Sequence, residues 1–505
     1  MTSRLRSCFI LLLGIAGCGD GPTDPSHELG LRIIAGGGAR DTVGTRLAAP
    51  VVAQYRDSTG AFRAGVQVRI EGVGSSGVPL YLALGANGDP LQTVLLTTTD
   101  DAGRVTASVR MGNVAGTGWV RVRAPQLGLA DSVSFEVLPG GLTQFELGPI
   151  DTALYVGATI QLRARTFDRW HNERTGDAVA WSSAAGVIET STSGQVRGIA
   201  EGRAFARATV GALSDSLGVS VVPRGILAAL FDPINSDQPE HILVFETNGS
   251  NERRIDAGTD CAHGLQWLHT EDRLIFGRNP SPRICFTQRL YSSTLTGSVN
   301  RIRPDTGTLD GEYWPRLTRD DQWIYFMGRP DHQNGEIWRV RADGTGAELM
   351  GPPASWADLD QQPAPSPNGS QVVYASYRES TGWTLTLHVL DVATRNVRSL
   401  GVTGYSPSWS PQGTLIAFKR QDMYYVMNAD GTNVRSLVES RSSTSYQDLP
   451  SWSPDGKWIV TVVRDPGGYA PVYGKLALVN VETGVVLPLG WTKQLMQPSW
   501  RPRDN

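Results

Sequence analysis

The 505-residue chain is poor in the residues that most reactions need. It holds four cysteines and seven histidines, and charged residues make up 19% of it. Its formal net charge is −3, so it lacks the basic field that nucleic-acid binding draws on. A His-Glu-x-x-His pair is missing, as are a Gly-x-Ser-x-Gly elbow and a Gly-x-x-x-x-Gly-Lys phosphate loop. Metalloprotease, serine-hydrolase and P-loop chemistry lose their usual carriers. Apolar residues at helical spacing are also missing beyond residue 18. What is abundant is glycine (57) and proline (30), set between short alternating apolar runs. That pattern predicts a turn-rich, all-β chain, too long for a single core.

The longest apolar run near the start, Cys8–Ala16, has nine residues behind Arg4 and Arg6. A spanning helix needs about 20, so residues 1–17 read as a signal peptide. The run ends Ile15-Ala16-Gly17-Cys18, which resembles the lipobox of bacterial lipoproteins. The resemblance implies lipid attachment at Cys18, a polar tether over 18–28, and a membrane-anchored place in the cell envelope. Gly19 in place of an inner-membrane aspartate favours the outer membrane. Cys261 and Cys285 are then the remaining cysteines, and an exported pair suggests one disulfide.

Three regions follow. Over 29–138, strands are predicted at Pro50–Tyr55, Val66–Ile70, Val94–Thr98, Gly103–Arg110, Gly118–Arg123 and Ser132–Val137, a sandwich pattern. The segments Asp57-Ser58-Thr59-Gly60 and Thr99-Asp100-Asp101-Ala102-Gly103 resemble the bacterial Ig-like domains of invasin and intimin type. Over 141–223, Tyr155-Val156-Gly157, Val179-Ala180-Trp181-Ser182-Ser183, Gly194-Gln195-Val196 and Glu201-Gly202-Arg203-Ala204 resemble the BIG2 type of Ig-like domain. Trp181 is expected in its core.

Residues 225–505 repeat. Pro407–Gly413 reads PSWSPQG, Pro450–Gly456 reads PSWSPDG and Pro498–Pro502 reads PSWRP. Weaker copies place Trp267, Leu317 and Pro365 in register with Trp409, Trp452 and Trp500, at spacings of 50, 48, 44, 43 and 48. A second motif, such as Tyr424–Leu437, follows in each copy, and where it carries Asn-Gly or Asp-Gly (Asn248-Gly249, Asp343-Gly344, Asp430-Gly431) it marks a tight hairpin. Periods near 40–50 residues indicate propeller blades. The two motifs resemble the TolB-like (PD40, WD40-like) repeats, which implies a six-bladed β-propeller. Because an open ring leaves exposed edges, the strand near Trp500 should complete the first blade, a Velcro closure. Overall the predicted fold is all-β: two Ig-like sandwiches, then the propeller.

In antiparallel blades the two tight turns share one face, and the longer loops share the other, where function usually concentrates. Cys261 and Cys285 both fall on long loops. Closing about 25 residues by their disulfide is worth roughly 3–4 kcal/mol. Trp314, Trp356, Trp383, Tyr446, Tyr469, Tyr473 and Trp491 are the aromatic candidates for partner contact. Asp320-Asp321 is expected in a solvated turn. The cluster Cys261, His263 and His269 falls short of a four-ligand zinc set, so no metal and no cofactor is expected. The resemblances imply a non-enzymatic, monomeric, lipid-anchored protein that displays its propeller to an envelope or cell-surface protein or glycan. An enzyme acting on glycans or lactones through the central funnel is the rival.

Overall fold

A computed structural model describes residues 29–74, 77–150, 152–231, 240–259, 262–279, 287–304, 309–330, 335–352, 359–377, 382, 384–440, 449–464, 474–489 and 495–502. The chain is all-β and divides into two compact units. One comprises the residues up to Glu146 with Arg165–Asp177; the other comprises Leu147–Ala164 and everything from Ala178 onward. The division therefore falls elsewhere than at the domain limits expected near 140 and 224.

In the first unit, Gly30–Ala35, Val51–Arg56, Arg104–Met111 and Leu80–Leu84 form one sheet. Arg40–Thr42, Leu129–Leu138, Gly116–Ala124, Gln67–Gly74 and Val94–Thr98 form another. Alternation drives both. Val105, Ala107, Val109 and Met111 share a core with Val68, Ile70, Val120 and Val122 of the other sheet. Burying each valine stabilises by about 1.5–3 kcal/mol. The 165–177 hairpin belongs here because of Asp168. Its fully buried carboxylate accepts hydrogen bonds from the backbone of Gly140 (2.8 Å), Trp170 (2.9 Å) and Asn172 (2.9 Å). Burial raises its pKa, but these bonds and one from the Asn172 amide outweigh burial and hold it below the usual range.

In the second unit, Thr152–Leu154, Leu213–Val221, Gly202–Val210 and Ala180–Ser183 form a sheet beside a smaller one of Thr159–Gln161, Gln195–Gly198 and Ile188–Thr190. Leu154, Leu162, Val196, Ala206 and Val219 make their core, with Trp181 partly buried against it. Gly194 turns with φ +82 beneath Trp181, where a Cβ would lie 2.8 Å from the indole. Tyr155 and Val222 instead pack with Leu227, Phe245 and Trp500. The Tyr155 hydroxyl donates to Glu246 Oε2 (2.7 Å), and burial pushes its pKa up to about 12. This shared core is why the region before residue 224 and the repeats form one unit.

Among the described residues, the repeats form six four-stranded antiparallel sheets. Sheet I runs Leu495–Trp500, Ile226–Phe231, Glu240–Glu246, Arg253–Thr259, so its innermost strand comes from the C-terminal end. Leu227 pairs with Trp500 and Phe231 with Leu495. Sheets II to VI begin with His263–Trp267, Gly311–Leu317, Leu359–Pro365, Tyr405–Trp409 and Ser451–Trp452, and each continues outward in chain order. Each innermost strand neighbours the next, and Ser451–Trp452 neighbours Leu495–Trp500, so the inner strands follow one another in a cycle. That is the arrangement of a β-propeller.

Two repeated devices explain why the motif sequence folds this way. In the Ser-Pro-Asp-Gly turn, Ser453 Oγ donates to Asp455 Oδ1 (2.6 Å) and accepts from Trp458 N (2.9 Å). Ser366 with Asn368, and Thr318 with Asp320, repeat this closure. Each turn then bonds the second hairpin of its own sheet, as in Ala429 N to Thr414 O (3.0 Å) and Val481 N to Lys457 O (2.8 Å). The two tight turns therefore lie on one face.

Candidate functional site at the centre of the ring

The inner strands share a bulge. Gly264, Trp314, Gln362, Ser406 and Gln497, each three residues before the tryptophan position, have φ between 48° and 69°. The pairing register shifts at these points in sheets II to V and in sheet I. A bulge re-aims the residues that follow it. Here it directs the last residues of each motif towards neighbouring sheets and the centre. Trp267, Trp409 and Trp452 donate their indole N–H to backbone carbonyls of Ser499, Ala364 and Ser408 in the preceding sheet, each at 3.1 Å. The residue before the tryptophan position reaches forward. Ser499 Oγ accepts from Trp267 N (3.3 Å), Gln266 Oε1 from Leu317 N (2.8 Å), and Ser451 Oγ from Trp500 N (2.9 Å).

These residues line a cavity of about 160 Å3. Since all six inner strands contribute to its wall, it lies at the centre of the ring, opening on the side of the Ser-Pro-Asp-Gly turns. Trp267, Trp409, Trp452 and Trp500 form much of the wall, and Pro367, Pro411, Pro454 and Pro502 belong to the turns around its mouth. Its charged groups are Arg316 and Arg319. No carboxylate is among the described lining residues. Aromatic and proline surfaces with two guanidiniums can hold an apolar or anionic group. His269 also lies on the lining, its Nδ1 3.0 Å from Asp321 Oδ1.

The sequence-predicted sites fare unevenly. Trp314 was expected on a blade-to-blade loop. It lies instead within the inner strand Gly311–Leu317, half-buried, with its indole N–H buried and unpartnered. The strand starts before the motif because the bulge at Trp314 lets pairing continue past Pro315. Trp356, Trp383, Tyr446, Tyr469, Tyr473 and Trp491 lie outside the described residues, as do Cys18, Cys261 and Cys285. The Asp320-Asp321 turn is not simply solvated: Asp321 is buried with φ 54°. Its carboxylate accepts from His269 N (2.9 Å), Thr270 N (2.7 Å) and Thr270 Oγ1 (2.7 Å). Burial raises its pKa, yet the His269 side chain and the other bonds bring it below the ordinary range. Sheet II lacks the Pro-Asp-Gly turn, and Asp321 of the neighbouring sheet supplies the missing acceptor. Among the described residues no His, Cys, Asp and Glu cluster could hold a metal ion, and no helix is long and apolar enough to cross a membrane.

With a propeller and a central cavity defined, comparison with known proteins adds the following. No protein-family model matches the chain. A 168-residue stretch is 33% identical to the uncharacterized protein Atu1656 of Agrobacterium fabrum. The match spans 33% of this chain and 44% of that protein, less than half of its length. Similar solved structures include TolB from Acinetobacter baumannii, at 17% identity, TM-score 0.46, and coverage of 65% of this chain and 83% of that one. Putative TolB from Agrobacterium tumefaciens gives 15%, 0.40, 55% and 92% for the same quantities. An oligogalacturonate lyase from Vibrio parahaemolyticus gives 11%, 0.33, 61% and 95%.

Proposed function

We propose that the chain is a lipid-anchored envelope protein in which two Ig-like domains carry a six-bladed, Velcro-closed propeller that binds a protein partner. The observation that carries this reading is the central cavity: a preorganised, aromatic- and proline-walled mouth without a carboxylate among its described lining residues. Its wall is fixed by hydrogen bonds from sheet to sheet, so little ordering cost remains when a partner docks. Lipid at Cys18 supplies the anchor, and the Ig-like region supplies reach.

The test uses the full chain, solubilised from membranes in mild detergent and captured by a C-terminal tag. One protein retained at a one-to-one ratio, and lost when Pro411 and Pro454 at the mouth are both replaced by glutamate, is the expected result. Turnover of a pectic oligosaccharide or a lactone, with no partner retained, would replace this reading with the enzymatic rival. Labelled palmitate should enter the wild-type chain and not Cys18→Ala.

A further inference from the structure

Arg316 breaks the pattern of the ring. Its equivalents in the other inner strands are Gln266, Ala364, Ser408, Ser451 and Ser499, all neutral. Where that side chain reaches forward, it accepts a hydrogen bond from the backbone N–H at the next tryptophan position. For Arg316 the next such residue is Pro365, which has no N–H to give. The tryptophan position is also vacated twice in succession, by Leu317 and by Pro365, and both line the cavity. Space and a missing donor thus coincide at one place, and an arginine fills it.

Among the described residues the guanidinium there has no counter-charge. Arg316 Nη1 donates to the carbonyls of Gly264 (3.2 Å) and Pro315 (3.1 Å), and the remaining N–H donors have no acceptor among the described residues. In the same unit the buried Arg303 pairs with Glu312 at 2.6 Å, and the half-buried Arg339 pairs with Glu348 at 2.5 Å. Burial pulls the Arg316 pKa down to about 10, with no carboxylate among the described residues to offset it. Arg319 donates to Pro411 O (3.2 Å) across the mouth, also without a carboxylate partner.

We infer that the central cavity is a binding site for a small organic carboxylate, held by the open fork of Arg316 with its apolar body against Trp409, Trp452 and Pro365. A planar fork matches a carboxylate in bidentate fashion, and the pair strengthens where water is excluded. The size fits: a protein cavity of about 150 Å3 accepts a benzene-sized molecule. This site shares the cavity at whose mouth a protein partner is proposed to dock, but small-molecule binding to the full chain is read without that partner and without the lipid anchor.

Calorimetric titration of the full chain in a carboxylate-free buffer tests it, with benzoate, neutral benzamide and inorganic phosphate as probes. Benzoate should saturate one site, and benzamide and phosphate should each bind at least about tenfold more weakly. Arg316→Gln keeps a donor for the two carbonyls and should weaken benzoate at least about tenfold, whereas Arg319→Gln should cost less than about threefold. A second variant guards against misfolding: Ala364→Glu, which places a carboxylate in the same cavity, should abolish benzoate binding while raising the melting temperature. No saturable benzoate binding to the wild type, equal binding of benzoate and benzamide, phosphate as tight as benzoate, or unchanged benzoate affinity in either Arg316→Gln or Ala364→Glu would each overturn the inference.

Discussion

Sheets V and VI, with full motifs, differ instructively from sheets II to IV, where the motif decays. In sheets V and VI the chain supplies its own parts. Trp409 and Trp452 lock onto the preceding sheet, and serines 410 and 453 close their own turns. In sheets II to IV some of these parts persist, as Trp267, Thr318 and Ser366 show, and others come from elsewhere. Asp321 holds the His269-Thr270 turn of its neighbour, and Arg316 occupies the ground left by Leu317 and Pro365. Repetition builds the ring, and departures from it concentrate polar groups between sheets and at the centre.

The comparison is broken most severely at its regular end. Trp409→Ala or Trp452→Ala should cost about 3–5 kcal/mol in a denaturant titration, since a buried ring and an inter-sheet hydrogen bond go together. A loss below about 1 kcal/mol would mean that the ring does not depend on its indoles. At the divergent end, Asp321→Ala should cost about 1–3 kcal/mol, because two backbone donors are stranded. The carboxyl of Asp321 is held below its ordinary value, so its contribution is present above the unfolded pKa of about 3.9 and fades as pH falls through the folded value. Melting curves from pH 7 to 3 should therefore show a shallower acid loss in Asp321→Asn than in the wild type.

Tyr155→Phe sharpens the junction between the repeats and the region before them. Removing a hydrogen bond to a carboxylate should cost about 1.5–3 kcal/mol in the same unfolding transition as the ring. Two separate transitions would show that Tyr155 does not tie the two together. The smallest effect belongs to a single turn: Ser453→Ala should cost about 0.5–1.5 kcal/mol, measured by thermal melting, and leave the other sheets intact.

Much of the ring was legible from sequence because its signals are local and recur. The tryptophan motif precedes a strand in sheets II to VI, and Asn248-Gly249 and Asp343-Gly344 turn with φ near 85° at glycine. The strands of the first unit were placed within a few residues, although Gly30–Ala35, Arg40–Thr42 and Leu80–Leu84 were missed. Those three carry weak alternation. What stayed hidden depends on contacts between distant segments. Nothing near Asp321 in sequence points to His269, and nothing around Asp168 points to Gly140. Arg316 stands in a degenerate copy of the motif and carries no signal of its own. Only the ring brings it to a cavity with six walls. A comparison of the residue just before the tryptophan position across all the repeats, Gln, Arg, Ala, Ser, Ser and Ser, is the signal that would have found it.

The closure of sheet I by the two ends of the repeat region is what everything at the centre rests on. Hydrogen–deuterium exchange on the full chain tests it directly. Amides of Ile226–Phe231 and Leu495–Trp500 should be protected as strongly as those of Leu415–Arg420 and Tyr405–Trp409, and should open with them in one cooperative step. Rapid exchange across Leu495–Trp500 while Tyr405–Trp409 stays protected would contradict a closed ring, and with it a cavity walled by six strands.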